Sequence, residues 1–239
     1  MREEQLKSLR TRITGGTDGK GGGSGPAVIL LHGFGAPGYD LVPLADVLHV
    51  PAGTRFFFPE GPLSLSFGPR DARAWWLIDM SRIEQDRAAG RTRDLSNEIP
   101  KGLAPAREQM LTFLQEVEQK FGVDPHKTVL GGFSQGAMLS CDLMLRSTQA
   151  YRGLIQLSGT LLAKQEWVPL LQKRKTVPVF QSHGMQDEIL PYAGAEGLRD
   201  TLTQAGLSVE WHSFRGGHEI PRTALQRLGP FITKAVTHT

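Results

Sequence analysis

The sequence predicts one α/β domain: a mostly parallel, twisted sheet with helices on both faces and a minimal cap or none. Three observations carry that expectation. Short, continuous apolar runs of buried-strand length alternate with longer amphipathic stretches, the order that builds a parallel sheet. Proline and glycine stand where helices need starts and stops. A chain of 239 residues, 39% apolar and 21% charged, has the size of one such domain and enough apolar side chains to bury a core, which excludes wholesale disorder.

Taken in order, residues 1–14 place Leu6, Leu9 and Ile13 at helical spacing but carry β-branched Thr11, Ile13 and Thr14, and the second feature favours an edge strand. Residues 15–25 are too rich in glycine for a regular element and read as a flexible hairpin connection. Ala27 to Leu31 is the first buried strand, followed by a glycine-rich turn and a helix-like stretch from Leu41 to Leu48. Arg55 to Phe58 is the next strand. Residues 82–101 carry nine charges without an apolar period, the composition of a solvated loop or of a flap over a site. A helix follows over 105–121, with Pro105 in its first turn and Gly122 as its stop. Strands at 128–131, 154–157, 177–181 and 208–214 then alternate with helices at 135–146, 192–205 and 221–236, the last two opened by Pro191 and Pro221. The whole chain, 1–239, reads as a single domain.

Composition narrows the function classes. The net charge is +3 and the pI about 9.1, but basic and acidic residues are interspersed, so no nucleic acid or other polyanion is implied as a partner. The first residues lack the apolar stretch of a signal peptide, and the longest apolar runs fall far short of a membrane span, which reads as a soluble cytoplasmic protein without integral membrane association. A lone cysteine, Cys141, excludes an intramolecular disulfide framework and reads as packing. No paired Cys-x-x-Cys and no His-Glu-x-x-His offers a metal site.

One motif carries chemistry. Gly132-Phe-Ser134-Gln-Gly136 lies between the run starting at Thr128 and the helix-forming Ala137 to Leu145. That is the context of a nucleophile elbow, a sharp turn that lifts a serine out of the sheet. Its neighbours two residues away must lack a Cβ to clear the adjoining strand and helix, and Gly132 and Gly136 meet that requirement. The alternative is a serine that merely caps a helix.

A serine hydroxyl needs a general base, and the base needs an orienting carboxylate. On this scaffold the chain order is serine, acid, histidine, each on a turn after a strand. Of the histidines after Ser134, His183 precedes the best acids, His212 lies within a strand and His238 in the tail, which leaves His218 in the turn before the last helix. Asp187 is the expected acid, with Glu188 beside it as the fallback. The oxyanion donors are then the backbone N–H of Gln135, directly after the nucleophile, and that of Phe34 in the early His32-Gly-Phe-Gly turn. His32 itself reads as a side chain that holds this loop.

Two other readings compete. Gly33-Phe-Gly35-Ala-Pro-Gly38 fits a dinucleotide-binding fingerprint with Glu60 as the ribose acid, but Pro37 removes an N–H from the phosphate turn and the motif gives Ser134, Asp187 and His218 no role. A non-catalytic binding protein on the same fold predicts a damaged triad, and none is visible. The Gly19-Lys20 pair does not complete a phosphate-binding loop.

With these residues in view, the chain resembles the phospholipase/carboxylesterase family of α/β-hydrolases from about Ala27 to its end. The matching blocks are Leu30-Leu-His-Gly-Phe-Gly-Ala-Pro-Gly-Tyr-Asp-Leu, Phe58-Pro-Glu-Gly-Pro, Ala74-Trp-Trp-Leu-Ile-Asp, Gly131-Gly-Phe-Ser-Gln-Gly-Ala-Met, Leu157-Ser-Gly, His183-Gly-x-x-Asp187-x-x-Leu-Pro and Gly217-His-Glu-Ile-Pro. The resemblance implies an α/β-hydrolase fold, a Ser134, Asp187, His218 triad and an oxyanion hole at Phe34 and Gln135. It suggests Phe34, Trp76, Leu161 and Ile189 as substrate-binding residues, with Trp75 and Trp76 also suited to the core. Phe34 and Ala36 stand where the related acyl-protein thioesterases resemble His-Gly-Leu-Gly-Asp, which favours the bacterial carboxylesterase branch. The expected activity is hydrolysis of short- to medium-chain carboxylic esters without metal or organic cofactor, in a monomer or homodimer. Lysophospholipase or thioesterase action on long acyl chains is the alternative.

Overall fold

The computed structural model describes residues 1–66, 71–79, 81, 85, 88–90 and 94–237. Residues 1–14, expected as one edge strand, contribute two: β1 (Arg2–Leu6) and β2 (Leu9–Gly16) pair antiparallel, with Lys7 turning the chain at φ +50°. Leu6 and Leu9 are register partners, so both face the core beside Ile13. A hairpin thus accounts for spacing that mimics a helix. The glycine-rich segment departs further from expectation. β2 runs into it, and Lys20–Gly22 forms a short strand, β3, parallel to β2. Glycine is required here for approach as well as for turning: at Gly15, with φ +73°, a Cβ would stand 2.2 Å from the Thr54 carbonyl. Asp18 closes the connection by accepting from the Lys20 and Gly22 N–H groups at 2.7 and 2.9 Å.

From β4 (Ala27–Leu31) the pattern follows the sequence. α1 (Leu44–Val47) is shorter than the expected 41–48, because residues 39–45 wind through three-residue turns such as Val42 N–H to Tyr39 and Leu44 N–H to Leu41. Next come β5 (Arg55–Pro59), the small hairpin β6 (Leu63–Ser64) and β7 (Arg73–Ala74), and α2 (Leu103–Phe121), which ends at left-handed Gly122. β8 (Thr128–Phe133) leads into α3 (Gln135–Arg146), then β9 (Gly153–Leu157). α4 (Lys164–Leu171) was not expected: it is short, contains Pro169 and starts after Ala163 at φ +45°. Its anchor is Trp167, buried, with its indole N–H on Asp142 at 2.8 Å. β10 (Val179–Gly184), α5 (Tyr192–Gln204), β11 (Val209–Phe214) and α6 (Arg222–Thr237) complete the chain. Much of the charged stretch 82–101, expected as a loop or flap, lies outside the described residues. Its end is tied to the start of α4 by the Ala163 and Lys164 N–H groups on the Glu98 and Ser96 carbonyls.

Apart from the separate β6–β7 hairpin, the strands form one sheet in the order β1-β2-β5-β4-β8-β9-β10-β11, with β3 beside β2. Pairing is parallel from β5 through to β11 and antiparallel from β1 to β5. Alternation along each strand splits the core in two. Ala27, Ile29 and Leu31 face α2, α3, α4 and α5, whereas Val28 and Leu30 face α1 and α6 together with Phe56, Phe58, Ile155 and Phe231. Cys141 is fully buried in the first layer, and burial together with neighbouring Asp142 pushes its thiol pKa up. Among the described residues no helix is long and apolar enough to cross a membrane.

Candidate active site

The C-terminal end of β8 turns into α3 within one residue. Ser134 makes that turn at φ +54°, ψ −116°, a conformation costing a non-glycine residue on the order of 1–3 kcal/mol. The surrounding chain compensates: the Ser134 N–H donates to the Leu157 carbonyl at 2.8 Å, and the Ser134 carbonyl receives the Met138 N–H at 3.1 Å. The flanking glycines are needed on steric grounds. A Cβ at Gly136 would lie 2.0 Å from the Leu31 carbonyl oxygen, and one at Gly132 2.5 Å from the same atom. The elbow is therefore wedged against β4, the strand that delivers the His32–Gly38 loop. Gly33 of that loop is close enough that a Cβ there would sit 3.4 Å from the Cβ of Ser134.

Asp187 and His218 meet across two turns. The Oδ2 of Asp187, in the turn after β10, lies 2.7 Å from Nδ1 of His218, in the turn after β11, although 31 residues separate them in the chain. Oδ1 of Asp187 accepts the Ile189 and Leu190 N–H groups, each at 2.9 Å. Burial alone would raise the pKa of this carboxyl; hydrogen bonds from His183 and His218, the His218 charge and the Leu190 N–H outweigh it and hold it well below the usual carboxylate range. Glu188, the fallback acid, is exposed. The imidazole of His218 also packs against the ring of Phe133, the residue before Ser134, with centroids 4.8 Å apart. This contact brings the elbow and the acid–histidine pair to one end of the sheet.

Gln135 opens α3, and the first N–H groups of a helix have no partner inside it. Its side chain has a task that the sequence does not reveal. Buried completely, it accepts the Trp75 N–H with Oε1 at 2.9 Å and donates Nε2 to the Trp76 carbonyl at 2.9 Å, clamping the segment after β7 onto the elbow. His32 holds its loop as expected. Its Nε2 accepts the Gly61 N–H at 2.8 Å, which assigns the proton to Nδ1 facing the Gly33 carbonyl at 2.8 Å, and burial lowers its pKa to about 4.

Of the four suggested substrate-binding residues, Phe34 is half-buried against Leu65, Ala72 and Ala74, and Ile189 is 52% exposed beside Asp187. Trp76 and Leu161 lie in the first core layer at 3% and 4% exposure. The dinucleotide reading finds no support. Glu60, its ribose acid, is buried in ion pairs with Arg12 at 3.1 Å and Arg73 at 2.9 Å, Pro37 pairs with Ala72, and the backbone of Gly38 lies against the Glu60 side chain. A groove of about 1160 Å³ between α1 and α6 is lined by none of the expected site residues. Sequence reasoning set His183 aside on chain order, yet its Nε2 lies 3.2 Å from Oδ2 of Asp187; position four before the acid was the available signal.

A family model described as Phospholipase/Carboxylesterase matches residues 20–236. Among curated proteins, acyl-protein thioesterase 1 of Kluyveromyces lactis is 29% identical over 87% of this chain and 91% of its own length. The lysophospholipase-like protein 1 of Mus musculus is 32% identical over 52% of this chain and 53% of its own. Among solved structures, esterase PE8 aligns at 26% identity with a TM-score of 0.76, over 95% of this chain and 99% of its own. The Bacillus cereus carboxylesterase, 21% identical at a TM-score of 0.72 over 97% of each chain, shows the fold.

Proposed function

Since this chain belongs to the phospholipase/carboxylesterase family, whose members are ester hydrolases, we propose that it is a serine carboxylesterase of short- to medium-chain esters, working through Ser134, His218 and Asp187. The observation that carries this reading is the 2.7 Å Asp187–His218 pair beside a serine held at φ +54°. A binding protein that had lost catalysis would have no need to keep either feature.

With Nδ1–H of His218 donated to Asp187, Nε2 is the free base. Ser134 Oγ attacks the ester carbonyl as Nε2 takes its proton. The negative charge that develops on the carbonyl oxygen is received by the N–H groups of Gln135 and Phe34. Collapse expels the alcohol, protonated by His218, and leaves an acyl group on Ser134. Water, deprotonated by His218, then attacks the acyl carbon, and the acid departs as the proton returns to Ser134. Asp187 stays ionised and holds the imidazole in the productive tautomer, the role that its low pKa supports. Phe34, Trp76, Leu161 and Ile189 line the acyl side in this reading, with Ile189 and Phe34 as the accessible pair.

Initial rates on p-nitrophenyl esters from acetate to palmitate, with Ser134→Ala alongside, test the proposal. Rates that fall with chain length and vanish in the variant support it; equal rates in both proteins overturn it. The names of the curated relatives favour a second reading, thioesterase or lysophospholipase action on long chains, which a rate maximum towards palmitate would select.

A further inference from the structure

His183 is fully buried on β10, and the triad as proposed gives it no part. Its Nε2 lies 2.8 Å from the Leu190 carbonyl, which can only accept, so Nε2 carries a hydrogen. Its Nδ1 is buried without a hydrogen-bond partner. A second hydrogen on that nitrogen would add a buried charge and an unsatisfied donor, both costly, so the ring is the neutral Nε2–H tautomer. The same Nε2–H reaches Oδ2 of Asp187 at 3.2 Å, the oxygen that holds His218 at 2.7 Å. Asp187 is therefore surrounded by donors: two backbone N–H groups bond to Oδ1, His218 bonds to Oδ2, and His183 Nε2 stands 3.2 Å from the same oxygen.

We propose that His183 is a positioning residue for the hydrolytic reaction: it fixes the Asp187 carboxylate and shares its charge with His218 through a hydrogen bond divided between Leu190 and Asp187 Oδ2. The inference rests on the triad reading above. Leu190 N–H and carbonyl both belong to this arrangement, so the acid turn is tied to β10 at both ends. Charge sharing has a direction. Each donor on Oδ2 withdraws negative charge from the face that His218 sees, so removing the His183 donor strengthens the pull on the His218 proton and favours the imidazolium. The charged and titratable neighbours are Tyr192 of α5, its ring 6.2 Å from that of His183, with the Arg199 guanidinium beyond it on the ring of Trp211, and Glu219 beside His218, its carboxylate against Gly216. None of these reaches Oδ2 among the described residues.

The test is the pH profile of kcat/KM on p-nitrophenyl acetate for the wild type, His183→Leu, His183→Gln and Ser134→Ala. The acidic limb reports the free base. In His183→Leu it moves to higher pH by about half a unit or more, with a reduced kcat; in His183→Gln, whose amide places an N–H near the same point, it returns to the wild-type position. A limb unmoved in His183→Leu, or moved equally in both variants, overturns the role and leaves His183 as packing. Long-range ¹H–¹⁵N spectra of the wild type do not depend on a variant folding: His183 shows its hydrogen on Nε2, and a ring that carries it on Nδ1 instead overturns the proposal. Ser134→Ala separates the two readings. Full activity there removes the triad, whereas lost activity there with an unmoved limb in His183→Leu removes only the part given to His183.

Discussion

The ring of Phe133 lies tilted against the imidazole of His218, with centroids 4.8 Å apart and planes at 47°. The side chain before the proposed nucleophile thus steadies the proposed base, across a gap of more than eighty residues of sequence. Removing that surface frees the imidazole on the side away from Asp187. Phe133→Ala is expected to keep the fold, since the position is only half-buried, and to lower kcat/KM about tenfold, measured on a short-chain ester alongside far-UV circular dichroism.

Asp187→Asn preserves shape and replaces a charged acceptor by an amide, whose NH₂ can turn His218 to the wrong tautomer. A loss of about 10³–10⁴ in kcat is expected, with the pH dependence of the remainder displaced because the imidazolium has lost its counter-charge. Glu188→Gln, at the exposed neighbour, is expected to leave kcat within about twofold. Steady-state kinetics of the two variants decide which carboxylate serves.

At Gly136 the relevant quantity is the 2.0 Å between an added Cβ and the Leu31 carbonyl oxygen. Neither strand β4 nor helix α3 can yield without moving the elbow, because the clash is with backbone. Gly136→Ala is expected to cost about 3 kcal/mol or more by chemical denaturation, or to prevent folding, while Gly19→Ala, where an added Cβ meets no atom within 4 Å, costs only what its φ of +68° imposes, about 1 kcal/mol.

His32 gives the chain an acid sensitivity of known sign. Its folded pKa of about 4 lies below the ordinary histidine value, so between pH 6.5 and 4 the unfolded chain binds a proton that the folded chain does not. Stability falls across that window as pH falls, by no more than about 1.4 kcal/mol per pH unit from this residue. His32→Gln, whose amide oxygen can still accept the Gly61 N–H, is expected to flatten the slope in urea titrations taken from pH 7 to 4.

The parts of the fold legible in the sequence are those set by local pattern. β4 and α3 have the expected ends, and the elbow between strand and helix announces itself through two glycines and a serine, because the steric demand there falls on fixed positions. What escaped is decided by distant partners. The glycines at 15, 16 and 22 look like linker until their neighbours are placed: the Thr54 carbonyl just before β5 against Gly15, the Gly22 backbone against Gly16 and the Asp18 carboxylate against Gly22. α4 is hidden by Pro169 and by its dependence on Asp142 for the Trp167 indole. At the site, Asp187 and His218 could be chosen from chain order, but the Gln135 clamp on Trp75 and Trp76 and the approach of His183 to the acid are properties of packed side chains with no signature of their own.

Cys141 lies seven residues beyond Ser134 on α3, fully buried in the layer beneath the proposed nucleophile, and it is the chain's one cysteine. A thiol reagent can reach it only when that layer parts from the sheet. Timed alkylation followed by mass spectrometry therefore reads, at a single atom and without an introduced probe, how often the scaffold beneath the elbow opens. A substrate analogue bound to Ser134 would slow that clock by as much as it steadies the closed state. The molecule carries its own breathing gauge, placed two turns of helix below the serine proposed to react.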